Sequence, residues 1–496
     1  MTTTLNSLPL PKTKSSAGFQ DQQQWGQLQG SSRALAVAQA SQQAGRPIVL
    51  VTADTPSALK LEKEIRYFQG SQHSVPVTLF PDWETLPYDT FSPHQDIISQ
   101  RLETLFRLTQ EPSGIFIVPI NTLMQRLAPV EYIGQHLLLL KRGQQLDRDQ
   151  FRRQLEQAGY LHVSQVMSHS EFSIRGSIID LYPMGSKDPY RIDLFDDEVD
   201  SIRLFDPDTQ RSSNAVEEIR MLPAREFPTD KAALNLFRQQ FLERFDASNS
   251  AESVFNQITR GTMPSGVEYY LPLFFEKTAT LFDYFHPDTL ILLHGDVSDA
   301  CEFFWADLNE RYEQYRYNKH RPLLAPMELF LPVNELFAGL KQWPRVALAS
   351  QPLDEAAGKH NLHCEKLDDI ALNPQKKQPA QALLTTLSEA SDRGAKVLFC
   401  AESQGRRENL LGILNKYQIK PVEFAHFDDF LTSHETVGIS IGMVEHSFRW
   451  RNPDGELLFI TETQLLGHKI SQRRLRTAQK PTDENAIIRN LAELSV

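Results

Sequence analysis

Residues 47–68 read PIVLVTADTPSALKLEKEIRYF and have the pattern of a strand followed by a helix. This stretch begins with a short apolar run, Pro47–Val51, which predicts a buried strand, and it continues into a predicted helix, Ser57–Phe68. An Ala/Leu-rich helix around 33–43 precedes it, and the strand-like segments Val77–Phe80 and Ile115–Ile120 follow it. Such alternation predicts an α/β layer built on a parallel sheet.

The length of 496 residues exceeds what one hydrophobic core usually supports, so we expect several folded units. The order of predicted elements changes after about residue 143. One helix is followed there by three strand-like segments, which predict an inserted α+β domain: Val163–His169, Glu171–Tyr182 and Tyr190–Phe195. The expected units are an α/β body at 33–136 and 224–345, the insert at 137–223, and a small α/β domain at 380–466. The expected connecting segments are a disordered arm rich in Thr, Ser and Gln at 1–32, a linker at 346–379, and a linker helix at 467–496.

Charge and composition limit the classes of function. The formal net charge is −12, which argues against a chain that coats DNA and favours a protein partner. No apolar run approaches the ~18 residues that span a bilayer, and no secretory signal is visible, so we expect a cytoplasmic protein without membrane insertion. The three cysteines, Cys301, Cys364 and Cys400, are widely separated, which excludes a disulfide framework and argues against a zinc site.

A basic run near the end leaves two interpretations open. It is either a solvated linker or helix face, or a contact with phosphate or with another domain. Its members are Lys469, Arg473, Arg474, Arg476 and Lys480.

Alternation of strands and helices in a long chain invites a search for the nucleotide site of an ATPase, and the parts of such a site are missing. The phosphate loop G-x-x-x-x-G-K-[ST] does not occur, and the first strand is followed by Thr52-Ala53-Asp54-Thr55-Pro56, without the necessary glycines or lysine. His294-Gly295-Asp296 stands where a carboxylate pair is expected, and Asp196-Asp197-Glu198 is interpreted as a solvated turn. No metalloprotease, hydrolase-elbow or dinucleotide motif is present. We therefore expect no catalytic residues, no cofactor and no metal in this chain.

The insert offers a candidate binding surface instead. Along Tyr190–Phe195 the side chains alternate between two faces, so that Arg191 and Phe195 share the face opposite to the apolar one. An exposed aromatic near an arginine is the composition of a binding hot spot. Arg175, just before Gly176, is a further candidate. Pattern alone leaves open the alternative of solvated arginines with a phenylalanine covered by a neighbouring loop.

Several long runs resemble the bacterial transcription-repair coupling factors, the Mfd family. They are DWETLPYDTFSPHQDIISQRL at 82–102, NTLMQRLAP at 121–129, RGSIIDLYPMGS at 175–186, EFPTDKAA at 226–233, GRRENLLGIL at 405–414 and IRNLAEL at 488–494. The resemblance covers nearly the whole chain after about residue 30. It implies the amino-terminal UvrB-like part of that family together with the following small domain.

A second resemblance, to the excinuclease subunit UvrB, is carried by FSIRGSIIDLYP at 172–183, PSGVEYY at 264–270 and LFDYFHPDTLILL at 281–293. UvrB has an intact phosphate loop, a carboxylate pair and a damage-probing hairpin, and this sequence departs from all three. The resemblance therefore implies a degenerate helicase-like body that has kept the insert which docks UvrA.

The family resemblance also implies the site and the partners. In the Mfd family two arginines and a phenylalanine of the insert contact UvrA, and the matching positions are Arg175, Arg191 and Phe195. Ser173 replaces an arginine of UvrB, so that contact is not transferred. The resemblance implies that RNA polymerase, DNA and ATP with Mg²⁺ bind only to parts of the family's length outside this sequence. A carboxy-terminal regulatory domain is expected to belong to those parts as well. The alternatives are an active DNA translocase or ATPase, and a UvrB-like binder of damaged DNA.

Overall fold

The computed structural model describes residues 8–12, 21–71, 74–246, 250–373, 375, 377–452 and 455–467. The strands are β1 Gln22–Leu28, β2 Pro47–Thr52, β3 Val77–Leu79, β4 Gly114–Pro119, β5 Leu138–Lys141, β6 Leu161–His162, β7 Glu171–Arg175, β8 Ile178–Leu181, β9 Tyr190–Phe195, β10 Glu198–Phe205, β11 Ser212–Val216, β12 Glu218–Met221, β13 Leu290–His294, β14 Arg345–Leu348, β15 Lys359–Glu365, β16 Lys396–Ala401, β17 Val422–Glu423, β18 Val437–Ile441, β19 Phe448–Asn452 and β20 Gly455–Thr461.

The α-helices are α1 Ser32–Ala44, α2 Thr55–Phe68, α3 Gln95–Gln110, α4 Ile120–Leu123, α5 Val130–Gln135, α6 Arg148–Gln157, α7 Lys231–Arg244, α8 Val254–Thr259, α9 Val297–Tyr315, α10 Pro326–Leu329, α11 Val333–Leu340, α12 Gln381–Asp392, α13 Gln404–Lys416, α14 Phe427–Thr432 and α15 Glu462–Leu466. Two 3-10 helices occupy Val267–Phe274 and Leu281–Tyr284. Among the described residues, no helix has both the length and the apolar character that crossing a bilayer requires.

A twelve-stranded sheet forms the body, in the order β17-β18-β16-β20-β19-β15-β1-β14-β13-β2-β4-β3. The strand β2 lies between β13 and β4 and is parallel to both. Every residue of β2 is buried, as expected for a continuous apolar run with helices on both faces of its sheet. The predicted α/β layer with a parallel sheet is confirmed.

The prediction of a disordered arm over residues 1–32 is wrong for residues 22–28, which form β1 in the middle of the sheet. This strand pairs in parallel with β14 on one side and with β15 on the other. Trp25 and Leu28 are fully buried. The glutamines of the segment suggest disorder, but two flanking strands satisfy its backbone groups, and local composition does not reveal them. Residues 1–7 and 13–20 lie outside the described part.

The prediction of a linker at 346–379 is also wrong, because the segment contains most of β14 and all of β15. The strand β15 pairs with β1 and, in antiparallel orientation, with β19. Its sequence, KHNLHCE, is polar because most of its side chains are partly exposed. Backbone hydrogen bonds to its two neighbouring strands, rather than burial of apolar side chains, hold it in the sheet.

The small unit predicted at 380–466 joins the body through this sheet. The strands β16, β18 and β20 form a parallel set, and β19 connects the set to β15. One face of the set has a separate apolar core that includes Leu383, Phe399 and Leu410. The other face shares a core with α1 and α2 of the body. The predicted linker helix at 467–496 and the basic run at 469–480 lie outside the described residues, apart from Gly467.

The insert is a six-stranded sheet in the order β11-β10-β9-β8-β7-β6, antiparallel except between β6 and β7. The chain enters through β5 and leaves through β12, and these two strands pair with each other. The predicted strand Val163–His169 is wrong. Within it only Val163 donates its backbone N–H to the backbone of a strand, at 2.8 Å from the oxygen of Phe172. Beyond it the segment closes a loop, in which the carboxylate of Glu171 accepts the backbone N–H groups of Met167 at 2.8 Å and Ser168 at 2.9 Å.

Candidate protein-interaction site

Phe195 is the most exposed aromatic residue of the insert, with 75% of its surface accessible. It ends β9, in which Ile192 and Leu194 are buried on the opposite face, as strand alternation predicts. A tight turn at Asp196 and Asp197 leads directly into β10. Asp196, Asp197 and Glu198 are all exposed, which confirms the interpretation of this acidic run as a solvated turn.

Arg191 is not exposed beside Phe195, contrary to the expectation from alternation. Only 17% of its side chain is accessible. Its Nε donates to Asp180 Oδ1 at 2.6 Å and its Nη2 to Asp180 Oδ2 at 2.9 Å. Its Nη1 donates to the backbone oxygen of Gln210 at 3.0 Å, and the guanidinium lies 5.0 Å from the ring centre of Phe205. These hydrogen bonds with Asp180 raise the pKa of Arg191 above its usual range.

Asp180 organises the arginines of the insert. It is almost fully buried, at 1% exposure, and the register of β8 and β9 places it directly opposite Arg191. Arg175 forms a second ion pair with the same carboxylate, while half of its own side chain stays exposed. Asp193, on the same face of β9, also acts on Arg191, so the face that carries Phe195 holds two guanidinium groups in a fixed geometry beside the carboxylates of Asp180 and Asp193.

The three predicted residues thus lie on one face of one sheet, but they differ in their accessibility. Phe195 and Arg175 are accessible to a partner, whereas Arg191 is mostly covered. The sequence pattern does not reveal that Asp180, Phe205 and Gln210 hold Arg191. One signal was available for Asp180, because an acidic residue within the apolar run IIDL at 178–181 requires a cation when it is buried.

The position of the missing phosphate loop is occupied by a carboxylate. Asp54 is the N-cap of α2, and its side chain accepts the backbone N–H of Ser57 at 2.7 Å. A helix N-terminus attracts anions, but here the acceptor is part of the chain itself. A second carboxylate, Asp296, caps α9 in the same way by accepting the N–H of Asp299 at 3.1 Å.

Replacement of Asp54 by alanine is expected to lower the free energy of unfolding by about 1 kcal/mol, because the helix loses its N-cap. Asp54→Asn keeps an oxygen that can cap the helix, so its free energy of unfolding should lie within roughly a few tenths of a kcal/mol of the parent value. Urea unfolding of the three proteins makes the comparison. An alanine variant as stable as the parent would show that the cap contributes nothing.

His294, at the end of β13, lies in the same region. Burial lowers the pKa of His294 to about 4, and the positive charges of Arg33 and Lys60 act in the same direction, while Asp54 opposes them. The imidazole is therefore neutral in the folded state at neutral pH. In the unfolded chain a histidine takes up its proton near pH 6.5.

This difference predicts that the protein loses stability as the pH falls from about 6.5 towards 4, since only the unfolded state binds the proton there. The contribution of His294 is fully present above pH 6.5. Between pH 7 and pH 5 the variant His294→Gln should lose about 1 kcal/mol less than the parent, a value reduced for the partial solvent access of the ring. Urea unfolding at both pH values tests this, with the exposed His434→Gln as control. Equal losses in the parent and in His294→Gln would contradict the assignment.

Cys301, Cys364 and Cys400 are all buried and free. Among the described residues, no cluster of three or more His, Cys, Asp or Glu side chains is placed to hold a metal ion.

Two family models match the chain. The UvrB interaction domain matches residues 138–227, which is the insert that carries Arg175, Arg191 and Phe195. The D3 domain of MFD matches residues 390–465, within the small unit. The fold and these matches define the class as a UvrB-like, helicase-like scaffold with an inserted interaction domain.

The curated relatives make the assignment specific. The chain is 44% identical over 96% of its length to the transcription-repair-coupling factor of Escherichia coli (strain K12), of which it covers 40%. It is 41% identical over 93% of its length to the factor of Haemophilus influenzae, and 26% identical over 95% to that of Bacillus subtilis (strain 168), again covering 40% of each relative. The chain is therefore similar over nearly its whole length to transcription-repair-coupling factors, and it spans about two fifths of the length of these relatives.

Proposed function

We propose that this chain recruits UvrA, and that the docking surface consists of Phe195 and Arg175, with Arg191 as its buried support. The observation that carries the proposal is the 75% exposure of Phe195 on the face where Asp180 holds two guanidinium groups. Aromatic and arginine side chains are enriched among residues that dominate binding energy. The match of this insert to the UvrB interaction domain supports the same surface.

The recruitment serves transcription-coupled nucleotide excision repair in the bacterial cytoplasm. In this proposal, the parts of the family's length outside this sequence engage RNA polymerase and DNA and hydrolyse ATP with Mg²⁺. A carboxy-terminal regulatory domain covers the insert until a stalled polymerase is engaged. The chain described here then presents its surface to UvrA. Residues 1–496 tested apart from such a domain are therefore expected to bind UvrA without an activating signal.

Co-elution of this chain with purified UvrA, followed by titration calorimetry, tests the recruitment. Binding without RNA polymerase, DNA or ATP is the expected result. Failure to bind under those conditions, while a full-length relative engaged on a stalled polymerase does bind UvrA, would reject the proposal of constitutive docking.

The chain itself is proposed not to hydrolyse nucleotides. The two carboxylates that cap α2 and α9, Asp54 and Asp296, supply negative charge where a triphosphate would need donors and cations. An ATPase assay with and without DNA should give no turnover above a blank. Nucleotide turnover that depends on this chain would favour the alternative of an active translocase.

A UvrB-like binder of damaged DNA is the remaining alternative, and the net charge of −12 argues against it. Such a binder would hold damaged duplex with an affinity that falls steeply with salt. We expect no such affinity for this chain.

A further inference from the structure

Arg203 lies on the same face of the insert as Phe195 and Arg191. The register of β9 and β10 places Arg203 directly opposite Arg191, and residues paired across two strands point to the same side of a sheet. Arg203 is exposed and forms no ion pair with any described residue. Its charge is thus not used by a contact within the described part of the chain.

A row of four side chains crosses the sheet at this level, from β8 to β11. Asp180 lies opposite Arg191, and Arg191 lies opposite Arg203. Ala215, which has no charge, lies on the other side of Arg203. The one carboxylate of the row is already shared, because Arg191 donates to it through two nitrogens and Arg175 pairs with it as well. Within the row, Arg203 is therefore the arginine without an acidic partner.

The other acids near this face have different partners. Asp193 accepts a hydrogen bond from Ser201 Oγ at 3.1 Å, and Asp206 accepts backbone N–H groups of its own turn. The acidic turn at 196–198 lies roughly 15 Å away along the hairpin, at ~3.3 Å per residue. These carboxylates lower the positive potential of the face, but they do not bind the guanidinium group of Arg203.

The pair of Arg191 and Arg203 does not stabilise the fold. Like charges directly opposite each other in a sheet repel, so a neutral or acidic side chain at position 203 would serve folding better. A binding role accounts for an arginine there, because an exposed guanidinium group can pair with a carboxylate of another protein through two parallel hydrogen bonds.

The distance from Arg203 to Phe195 suits a single interface. Phe195 lies four residues along β9 from Arg191, which is roughly 13 Å at ~3.3 Å per residue. A standard interface buries about 800 Å² on each partner, which is a patch roughly 30 Å across. We propose that Arg203 is a further contact at the rim of the UvrA-docking surface, where it pairs with a carboxylate of UvrA. This inference rests on the docking of UvrA proposed above.

Association and dissociation rates of the whole chain with purified UvrA test the proposal. Arg203→Glu should slow association about tenfold at about 0.05 M salt and by less than about twofold at about 0.5 M, because salt screens an exposed charge. Arg203→Lys keeps the charge and should associate within about twofold of the parent rate. Phe195→Ala should instead accelerate dissociation at both salt concentrations, since it removes an uncharged anchor.

Thermal unfolding separates this role from a structural one. Arg203→Glu places an acid opposite Arg191, so its melting temperature should equal or exceed that of the parent. Arg153→Glu is the matched control, because Arg153 is also exposed and forms no ion pair in the described part of the chain, but lies on α6. The control should associate with UvrA within about twofold of the parent rate at both salt concentrations.

The outcomes distinguish this inference from the proposed function. If Arg203→Glu associates at the parent rate in low salt while Phe195→Ala still weakens binding, the inference is overturned and the docking surface stands. Equal slowing by Arg203→Glu and Arg153→Glu would overturn it as well, because net charge alone would explain both. A lower melting temperature for Arg203→Glu, with slowing that is independent of salt, would assign Arg203 a structural role. Failure of the parent to bind UvrA would overturn the proposed function and this inference together.

Discussion

Replacement of Phe195 by alanine is expected to weaken binding to UvrA about thirtyfold, since truncation of a central aromatic anchor at an interface costs about 2 kcal/mol or more. The free energy of unfolding should change by less than about 0.5 kcal/mol, because 75% of the side chain is in solvent. Titration calorimetry gives the affinity and thermal unfolding gives the stability of the same preparation.

Phe303→Ala is a matched control, because Phe303 is as exposed, at 78%, but lies on α9 of the body. It should leave UvrA affinity unchanged. Equal affinities of the parent and the Phe195 variant, or equal weakening by both variants, would contradict the assignment of the surface.

Arg191→Ala cannot serve as a clean probe of binding. Two of its nitrogens satisfy the buried carboxylate of Asp180, so its loss is expected to cost stability as well as affinity. Arg175→Ala is the better test of the charge, since half of that side chain is in solvent and Arg191 would still pair with Asp180.

The largest expected effect on stability belongs to the buried pair of Arg101 and Glu226. Arg101 is fully buried and Glu226 is 3% exposed, with Arg101 Nε donating to Glu226 Oε1 at 2.8 Å. Trp83 Nε1 donates to the other carboxylate oxygen at 2.7 Å, and the guanidinium also lies 4.5 Å from the ring centre of Phe80. The pair ties α3 of the body to the segment in which the chain returns from the insert.

Replacement of Arg101 by alanine should therefore lower the free energy of unfolding by about 3–5 kcal/mol, because it leaves an uncompensated buried carboxylate. The double variant Arg101→Met with Glu226→Leu should lose less than the sum of the two single changes. Urea unfolding measures all of them. The surface pair of Arg244 and Glu328, about one third exposed on each side, is the control, and Arg244→Ala should cost at most about 1 kcal/mol. A loss below 1 kcal/mol for Arg101→Ala would show that the pair does not hold the junction.

The sequence predicts those parts of the fold in which burial is continuous along the chain. Pro47–Thr52 and Gly114–Pro119 are apolar because the sheet is covered on both faces, and their patterns alone predict strands. The strands Gln22–Leu28 and Lys359–Glu365 are not apparent from their own sequences, because they pair with each other although they lie more than 300 residues apart along the chain.

The candidate site divides in the same way. The exposure of Phe195 follows from the period of two along β9 and from the turn after it, which are local properties. The burial of Arg191 follows from the register that sets Asp180 opposite to it, together with the approach of Phe205 and Gln210. Register between strands is a property of the whole sheet, and a single strand does not disclose it.

Amide hydrogen exchange of this chain, free and bound to UvrA, tests the central claim most directly. Slower exchange in the two hairpins β7–β8 and β9–β10, residues 171–205, with little change in the rest of the body, is the predicted result. Slower exchange confined to the body or to the small unit, with both hairpins unaffected by UvrA, would contradict the claim that the insert is the docking surface.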